Sequence, residues 1–357
     1  MTPEDFVPWI EDTVRGRVTR LERMGRGQSR GTWLVGLDRD QGEPRELVLR
    51  VDTGDGPLSG SELCLAREAV LYRALADTTV RIPRLIGATA AGDALLLERA
   101  RGSEQFETVT DERLRSAIID DFFVSIAELH NLDVTGLALP GIERPCNGPG
   151  HARCDLGLWR RIFTGLVEDR PPFLAFAFDW LDRNAPQSVE RTALCHGDAG
   201  RGNFLFEGAR VTALLDWEFA HLGDPLDDLA WIAVRAHLLG GFGDCATNFR
   251  RWAGLTGLPV DLERIEYYRA MVMTRMATSC LVAIRHADAV EGGQMDTSIH
   301  RTLLPYLEYL IPQSLAALAS REDRETVASF ARAGERAVAA SPVLSQIARP
   351  LDRLEVP

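Results

Sequence analysis

The stretch Leu194–Trp231 reads LCHGDAGRGNFLFEGARVTALLDWEFAHLGDPLDDLAW, and its spacing decides how the rest of the chain is read. His196-Gly197-Asp198 offers a carboxylate on a tight turn, and Asn203 follows that Asp at the fifth position. An apolar run, Val211 to Leu215, closes on Asp216-Trp217-Glu218. One acid can accept the proton of an attacking hydroxyl, while an amide oxygen and a second acid can hold a hard cation. Together these are the parts of a phosphoryl-transfer site. Asp198 is the candidate base, and Asn203 and Asp216 are the candidate Mg²⁺ ligands. Glu218 is open between a second metal and a water. His196 is expected to brace the turn by hydrogen bonds. Asp224 is expected to be structural, and Asp228 to act as a cap or local acceptor.

The chain around this stretch has 357 residues, too many for one compact core and suited to two lobes. Apolar residues make up 45% and charged residues 26%, the balance of an ordinary globular protein. No apolar run reaches membrane-spanning length. The opening MTPEDFVPWIEDTV lacks the basic and apolar regions of a secretory signal, so a cytoplasmic location is expected. A net charge of -12 disfavours nucleic-acid and membrane partners. All 40 basic residues are arginine. Six scattered cysteines fit reduced thiols. Cys146, His151 and Cys154 lie close together, but they lack a fourth ligand and read as a plain loop.

Taken in order, residues 3–16 read as a packing helix with Phe6, Trp9, Ile10 and Val14 at helical spacing. Strands are expected at 18–21, 33–37 and 47–51, with a glycine-rich turn, GRGQSRGTW, between the first two. Glycines there would let backbone N–H groups approach phosphates, although most such turns are only hairpins. Arg50 ends the third strand. Ser61–Ala76 reads as an amphipathic helix capped by Ser59 or Ser61, with Glu68 midway. A strand cation followed by a mid-helix glutamate is the order by which kinase-like folds position phosphates. Strands around 80–86 and 93–98 lead to a linker at 98–102. Helices follow at 111–131, 158–170, 173–184, 226–239, 245–257, 261–285 and 299–320, with one or two in 322–347, and a Pro/Gly-rich loop covers 134–157. His130 is read as a packed helix-end residue. The domain expectation is a nucleotide-covering lobe at 1–100 and a helical lobe at 101–357 with the catalytic and metal loops and the acceptor pocket.

HGDAGRGN and LLDWE resemble the catalytic and metal-binding loops of the aminoglycoside phosphotransferase/choline kinase superfamily. GQSRGTW, LVLR, REAVLYRAL, LLLERARG and LDWEFAHLGDPLDDLAW further resemble the branch related to kinase domains fused to acyl-CoA dehydrogenases. The resemblance covers about residues 20–290. It implies an α+β, bilobal protein-kinase-like fold with a small five-stranded N-lobe and a mostly helical C-lobe. It implies Asp198 as base, Asn203 and Asp216 as Mg²⁺ ligands, and Gly27, Gln28, Ser29 and Arg50 on the phosphates of ATP, with Glu68 holding Arg50. It also implies adenine contacts through the Glu98 carbonyl and the Ala100 amide. Arg50 stands where kinases usually carry lysine, a replacement native to this branch. The expected activity is transfer of the γ-phosphate of ATP to a small-molecule hydroxyl, with a metabolic compound such as a hydroxyacyl-CoA favoured. Arg153, Arg160, Arg161, Arg235, Arg275 and Arg285 could give a basic entrance for such an acceptor. An antibiotic phosphotransferase is the alternative, and a nucleotide-binding pseudokinase the alternative from another class.

Overall fold

The computed structural model describes residues 2–25, 30–38, 45–54, 56, 58–289 and 297–354. In chain order it contains α1 (Val7–Val14), β1 (Arg17–Arg23), β2 (Gly31–Asp38), β3 (Arg45–Val51), α2 (Leu65–Leu75), β4 (Leu85–Ala88), β5 (Ala94–Glu98) and α3 (Glu112–His130). There follow α4 (Gly150–Leu166), α5 (Pro172–Arg183), β6 (Ala193–Cys195), β7 (Phe204–Glu207), β8 (Arg210–Leu214), β9 (His221–Gly223), α6 (Leu226–Leu239), α7 (Cys245–Thr256), α8 (Leu262–Ala289), α9 (Ser298–Leu318), α10 (Arg324–Ala340) and α11 (Leu344–Ile347).

Two compact units emerge, each discontinuous in sequence: residues 1–128, 135–142 and 202–220, and residues 129–134, 143–201 and 221–357. The expected cut near residue 100 marks the end of the main sheet, just past Glu98. The first unit runs on to Glu128 and takes in the β7–β8 hairpin.

The first unit holds a five-stranded antiparallel sheet in the order β1-β2-β3-β5-β4. Side chains alternate across a strand, so each strand feeds two faces. Trp33, Val35 and Leu37 of β2, Leu47, Leu49 and Val51 of β3, and Ala94 and Leu96 of β5 form one core with Phe6 and Ile10. Trp9 and Val14 of α1 pack onto it. The intervening residues Leu34, Val48 and Arg50 must then face the other way, and they line a cavity. A one-residue slip would bury Arg50 in the apolar core and expel its neighbours. The core-facing run 47/49/51 thereby fixes the aim of Arg50.

The second unit is built on helices and one short sheet, β6 paired with β9. Buried aromatic side chains fill it, including Trp159, Trp180, Trp252, Phe178 and Tyr268. No described helix is long and apolar enough to cross a membrane.

Three element starts differ from expectation. The strand expected from Val80 begins at Leu85, past Pro83, which has no N–H to give to a ladder. Helix α2 begins at Leu65 with Cys64 at its N-cap and no side-chain cap bond. Ser61 instead donates to the Leu58 carbonyl and accepts from the Leu63 amide, so it closes a turn ahead of the helix. Helix α4 begins at Gly150, inside the segment expected as loop. Asn147 Oδ1 accepts from the Gly150 amide at 2.7 Å, and the His151 ring engages the Asn147 carbonyl at 2.9 Å and Thr192 Oγ1 at 2.8 Å. The preceding prolines and glycines hide this start.

Candidate active site

In the first unit, Arg50 is the hub. Its Nη1 donates to Glu68 Oε2 at 2.7 Å and its Nη2 to Asp216 Oδ1 at 3.0 Å. Arg50 is 9% exposed and Glu68 1%, so the first pair is desolvated. Burial opposes the charge on Arg50, but the Glu68 and Asp216 carboxylates outweigh it and hold the guanidinium above its ordinary value. For Glu68, burial pushes the carboxyl up and Arg50 pulls it back; at 2.7 Å the ion pair is the state the geometry describes. Arg67, one residue before Glu68, donates from Nη1 to the Glu218 carbonyl at 3.0 Å and from Nη2 to that of Ala220 at 2.5 Å. Helix α2 therefore holds the Asp216 loop by its backbone as well as through Arg50.

The β7–β8 hairpin brings Asn203 and Asp216 together. The Leu215 amide donates to the Asn203 carbonyl at 2.8 Å, which extends the ladder by one step past Phe204 and Leu214. Asn203 thus precedes one strand and Asp216 follows the other, at the same end of the hairpin. Asp216 has φ 65 and ψ 64, the left-handed region that non-glycine residues rarely adopt. The chain turns out of the strand there and presents its carboxylate to the cavity. Next to it, Glu218 is 7% exposed; burial, with Asp216 and Glu68 nearby, pushes its carboxyl up to about 8.

Arg50, Asn203 and Asp216 line one cavity of about 780 Å³, wholly within the first unit. Leu34, Val48, Leu97, Leu205 and Leu215 supply apolar walls, and Arg50, Asn203 and Asp216 the polar end. Glu98 and Ala100 line it too, and Ser103, just past the linker, is tied to Phe206 by two backbone bonds of 2.9 and 3.0 Å. Gly27, Gln28 and Ser29 lie outside the described residues. Arg30, which no sequence spacing singles out, lines the same cavity at 3% exposure and donates to the Leu63 carbonyl at 2.6 Å. Asn203 and Asp216 are hard oxygen donors on one wall, a set that fits Mg²⁺ with its remaining positions left to water and phosphate oxygens.

In the second unit, Asp198 follows β6 on a turn held by Asp228. The Asp228 carboxylate accepts from the amides of His196 at 2.7 Å and Gly197 at 2.9 Å, and it meets His130 Nε2 at 2.9 Å. Trp252 Nε1 donates to His130 Nδ1 at 2.9 Å, so Nδ1 is an acceptor and the ring proton sits on Nε2, facing Asp228. Burial opposes ionisation of Asp228, but the bonds from His130 and His196 outweigh it and hold the carboxyl below the usual range. His130 is packed at a helix end as expected. Asp228 departs from expectation, because its partners lie about thirty or more residues away and it is no local cap. His196 Nδ1 accepts from the Asp198 amide at 3.3 Å, a brace for the turn. Asp224 accepts from the Leu226 amide at 3.0 Å beside Arg264, and burial pushes it up to about 7.

Arg235 of α6 donates from Nη2 to Asp198 Oδ2 at 2.9 Å and from Nη1 to the Arg201 carbonyl at 2.5 Å. Four of the other candidate entrance arginines are engaged elsewhere. Arg275 is 1% exposed and paired with Asp227 at 2.5 Å and Asp155 at 3.2 Å. Arg153 and Arg160 pair with Asp182 and Asp179, and Arg285 donates to the Asp169 carbonyl. Burial of an ion-pair network, rather than a binding surface, accounts for Arg275.

A profile of the phosphotransferase enzyme family matches residues 20–260. Among curated proteins, the chain is 37% identical over 109 residues to acyl-CoA dehydrogenase family member 11 of Gallus gallus, a match covering 30% of this chain and 14% of that protein. It is 33% identical over 122 residues to the Rattus norvegicus protein of the same name, covering 34% and 15%. The matched region thus spans only a small part of these relatives. A crystal structure of a candidate aminoglycoside phosphotransferase from Ralstonia eutropha JMP134 superposes with a TM-score of 0.62 at 20% identity, covering 95% of this chain and 99% of that one. A thermostable mutant of aminoglycoside phosphotransferase APH(4)-Ia gives 0.54 at 20% identity, covering 81% and 100%. Likeness at these identities concerns the fold, which is the expected kinase-like one.

Proposed function

Because the chain belongs to the phosphotransferase enzyme family, we propose that it is a kinase moving the γ-phosphate of ATP, with Mg²⁺, to a hydroxyl of a small metabolic compound. The observation that carries this is the Arg50 fork on Glu68 and Asp216 in a cavity that also holds Asn203 and the 98–102 linker. Residues 1–100 cover the nucleotide, and 101–357 supply the catalytic and metal loops and the acceptor pocket. Adenine lies between the leucine walls and meets the Glu98 carbonyl and the Ala100 amide. Arg50 binds the phosphates, and Gly27, Gln28 and Ser29, outside the described residues, are the further candidates for phosphate contacts. Asn203 and Asp216 would hold Mg²⁺, which would supply charge neutralisation at the phosphate oxygens. Asp198 takes the proton of the acceptor hydroxyl and orients its oxygen for in-line attack. A cytoplasmic setting with a free small-molecule acceptor, and no nucleic acid, suits this chemistry.

A hydroxyacyl-CoA is the favoured acceptor class. The similarity to acyl-CoA dehydrogenase family members supports it. So does the Arg235 guanidinium beside Asp198, since a polycationic aminoglycoside would bring its hydroxyl up against a fixed cation. ADP release is to be measured with hydroxyacyl-CoA thioesters, free hydroxy acids, choline, homoserine and aminoglycosides, and the product identified by phosphorus NMR. Turnover is expected with a thioester, and Asp198→Asn is expected to lower it by about 100- to 10,000-fold. Faster turnover of an aminoglycoside than of every acyl compound would make the antibiotic reading the correct one. Equal rates for wild type and Asp198→Asn, with ATP bound by both, would establish a pseudokinase.

A further inference from the structure

The contacts of Arg235 go beyond a charge near the loop. One arm reaches the Asp198 carboxylate and the other the carbonyl of Arg201, three residues further on. Its aliphatic stem fills the space beside Gly200, whose φ is +142; a Cβ there would stand 2.9 Å from Arg235 Cδ. Three successive features of the segment 198–201 therefore close on one side chain: an acid, a glycine without a Cβ, and a carbonyl. The guanidinium is planar and its two donors diverge at fixed angles, so satisfying both sets the direction of the carboxylate relative to the loop. Arg235 is itself fixed, because it sits in mid-α6, seven residues after Asp228. Asp228 holds the start of the same turn through the His196 and Gly197 amides. One helix thus grips the 196–201 segment at both ends.

We propose that Arg235 is a positioning residue: it clamps the 198–201 loop and fixes the rotamer of the Asp198 carboxylate that receives the acceptor proton. The role rests on Asp198 being the base. A misdirected carboxylate leaves nucleotide binding intact and slows the chemical step, so the clamp acts on kcat rather than on KM for ATP.

The test uses the full chain. In hydrogen exchange, Arg235→Met is expected to raise deuterium uptake in the peptide covering 196–203 while peptides of α8 keep wild-type protection. Unchanged uptake in 196–203 overturns the clamp, whatever the activity. Phosphate release from Mg·ATP, with water in place of the acceptor, is expected to fall on the order of 100-fold in kcat. KM for ATP should stay unchanged. Arg235→Lys should recover part of the rate, millimolar guanidinium chloride should rescue Arg235→Met, and Gly200→Ala should reproduce the loss by displacing the arginine stem. A lost rate that neither lysine nor guanidinium restores, with a matching fall in melting temperature, assigns Arg235 to the fold alone and overturns the proposal. Asp198→Asn at the wild-type rate would instead remove Asp198 as base; the exchange result still judges the clamp by itself.

Discussion

Arg50 stands at a strand end, with Glu68 and then Asp216 after it in the chain. The order of the first two predicts their pairing, and Asp216, expected as a metal ligand, joins the same guanidinium. A lysine at this position would bring one compact charge in place of a fork. Arg50→Lys is expected to lose the bond to Glu68 or to Asp216 and to weaken ATP binding about tenfold, the equivalent of one charged hydrogen bond. Calorimetric titration with ATP checks this, and unchanged affinity would contradict the fork. Arg30 and Arg235 are not legible in the same way. Each owes its place to partners that sequence spacing does not join: Leu63 for the first, Asp198 and Arg201 for the second.

At the scale of elements, β2, β3 and β5 are legible as short apolar runs bounded by turn signals, but Leu34, Val48, Leu95 and Leu97 are as apolar as the residues beside them, so the face each strand turns to the core is not. The first turns of α4 escape such patterns, since Pro149 and Gly150 suggest a loop and the holding bonds come from Asn147 and Thr192. Asp228 escapes them for the same reason: its partners lie on the turn after β6 and on α3. Its carboxyl is held below the unfolded value, so its contribution is present above about pH 3.9 and is lost as pH falls through the folded value. Asp228→Asn places an amide N–H₂ against donors and should destabilise the chain by roughly 1–3 kcal/mol at neutral pH. The gap in melting temperature between wild type and variant should narrow below about pH 4. A gap that stays constant down to strongly acidic pH would show that the charge is not involved. Helices α9 and α10 cross at Gly334, where a Cβ would come within 2.7 Å of Tyr309 Cα. Gly334→Ala should cost about 1–3 kcal/mol in chemical denaturation, since backbone cannot yield as a flexible side chain does.

Across the whole molecule, composition places the chain among acidic globular proteins and leaves its ends undecided. The last described segment is tied down within the second unit. Arg349 donates to the His237 carbonyl at 2.6 Å, Asp352 meets His237 Nδ1 at 3.1 Å, and Arg269 donates to the Asp352 carbonyl at 2.9 Å. Burial pulls His237 below its usual value against the opposing effect of Asp352. Removing residues 348–357 should lower the melting temperature while ATP still raises it, because the cavity lined by Arg50 and Asp216 belongs to the first unit. Loss of the ATP-induced rise would contradict that division. The arginine at the head of this cavity has one more consequence, in covalent reactivity. A guanidinium stays protonated and is a poor nucleophile at neutral pH, whereas a lysine amine can attack activated acyl groups. With no lysine anywhere in the sequence, the protein presents no side-chain amine for an activated acyl group to modify. An acyl-phosphate derivative of ATP, which marks kinases at their phosphate-binding lysine, should leave wild type untouched and label Arg50→Lys.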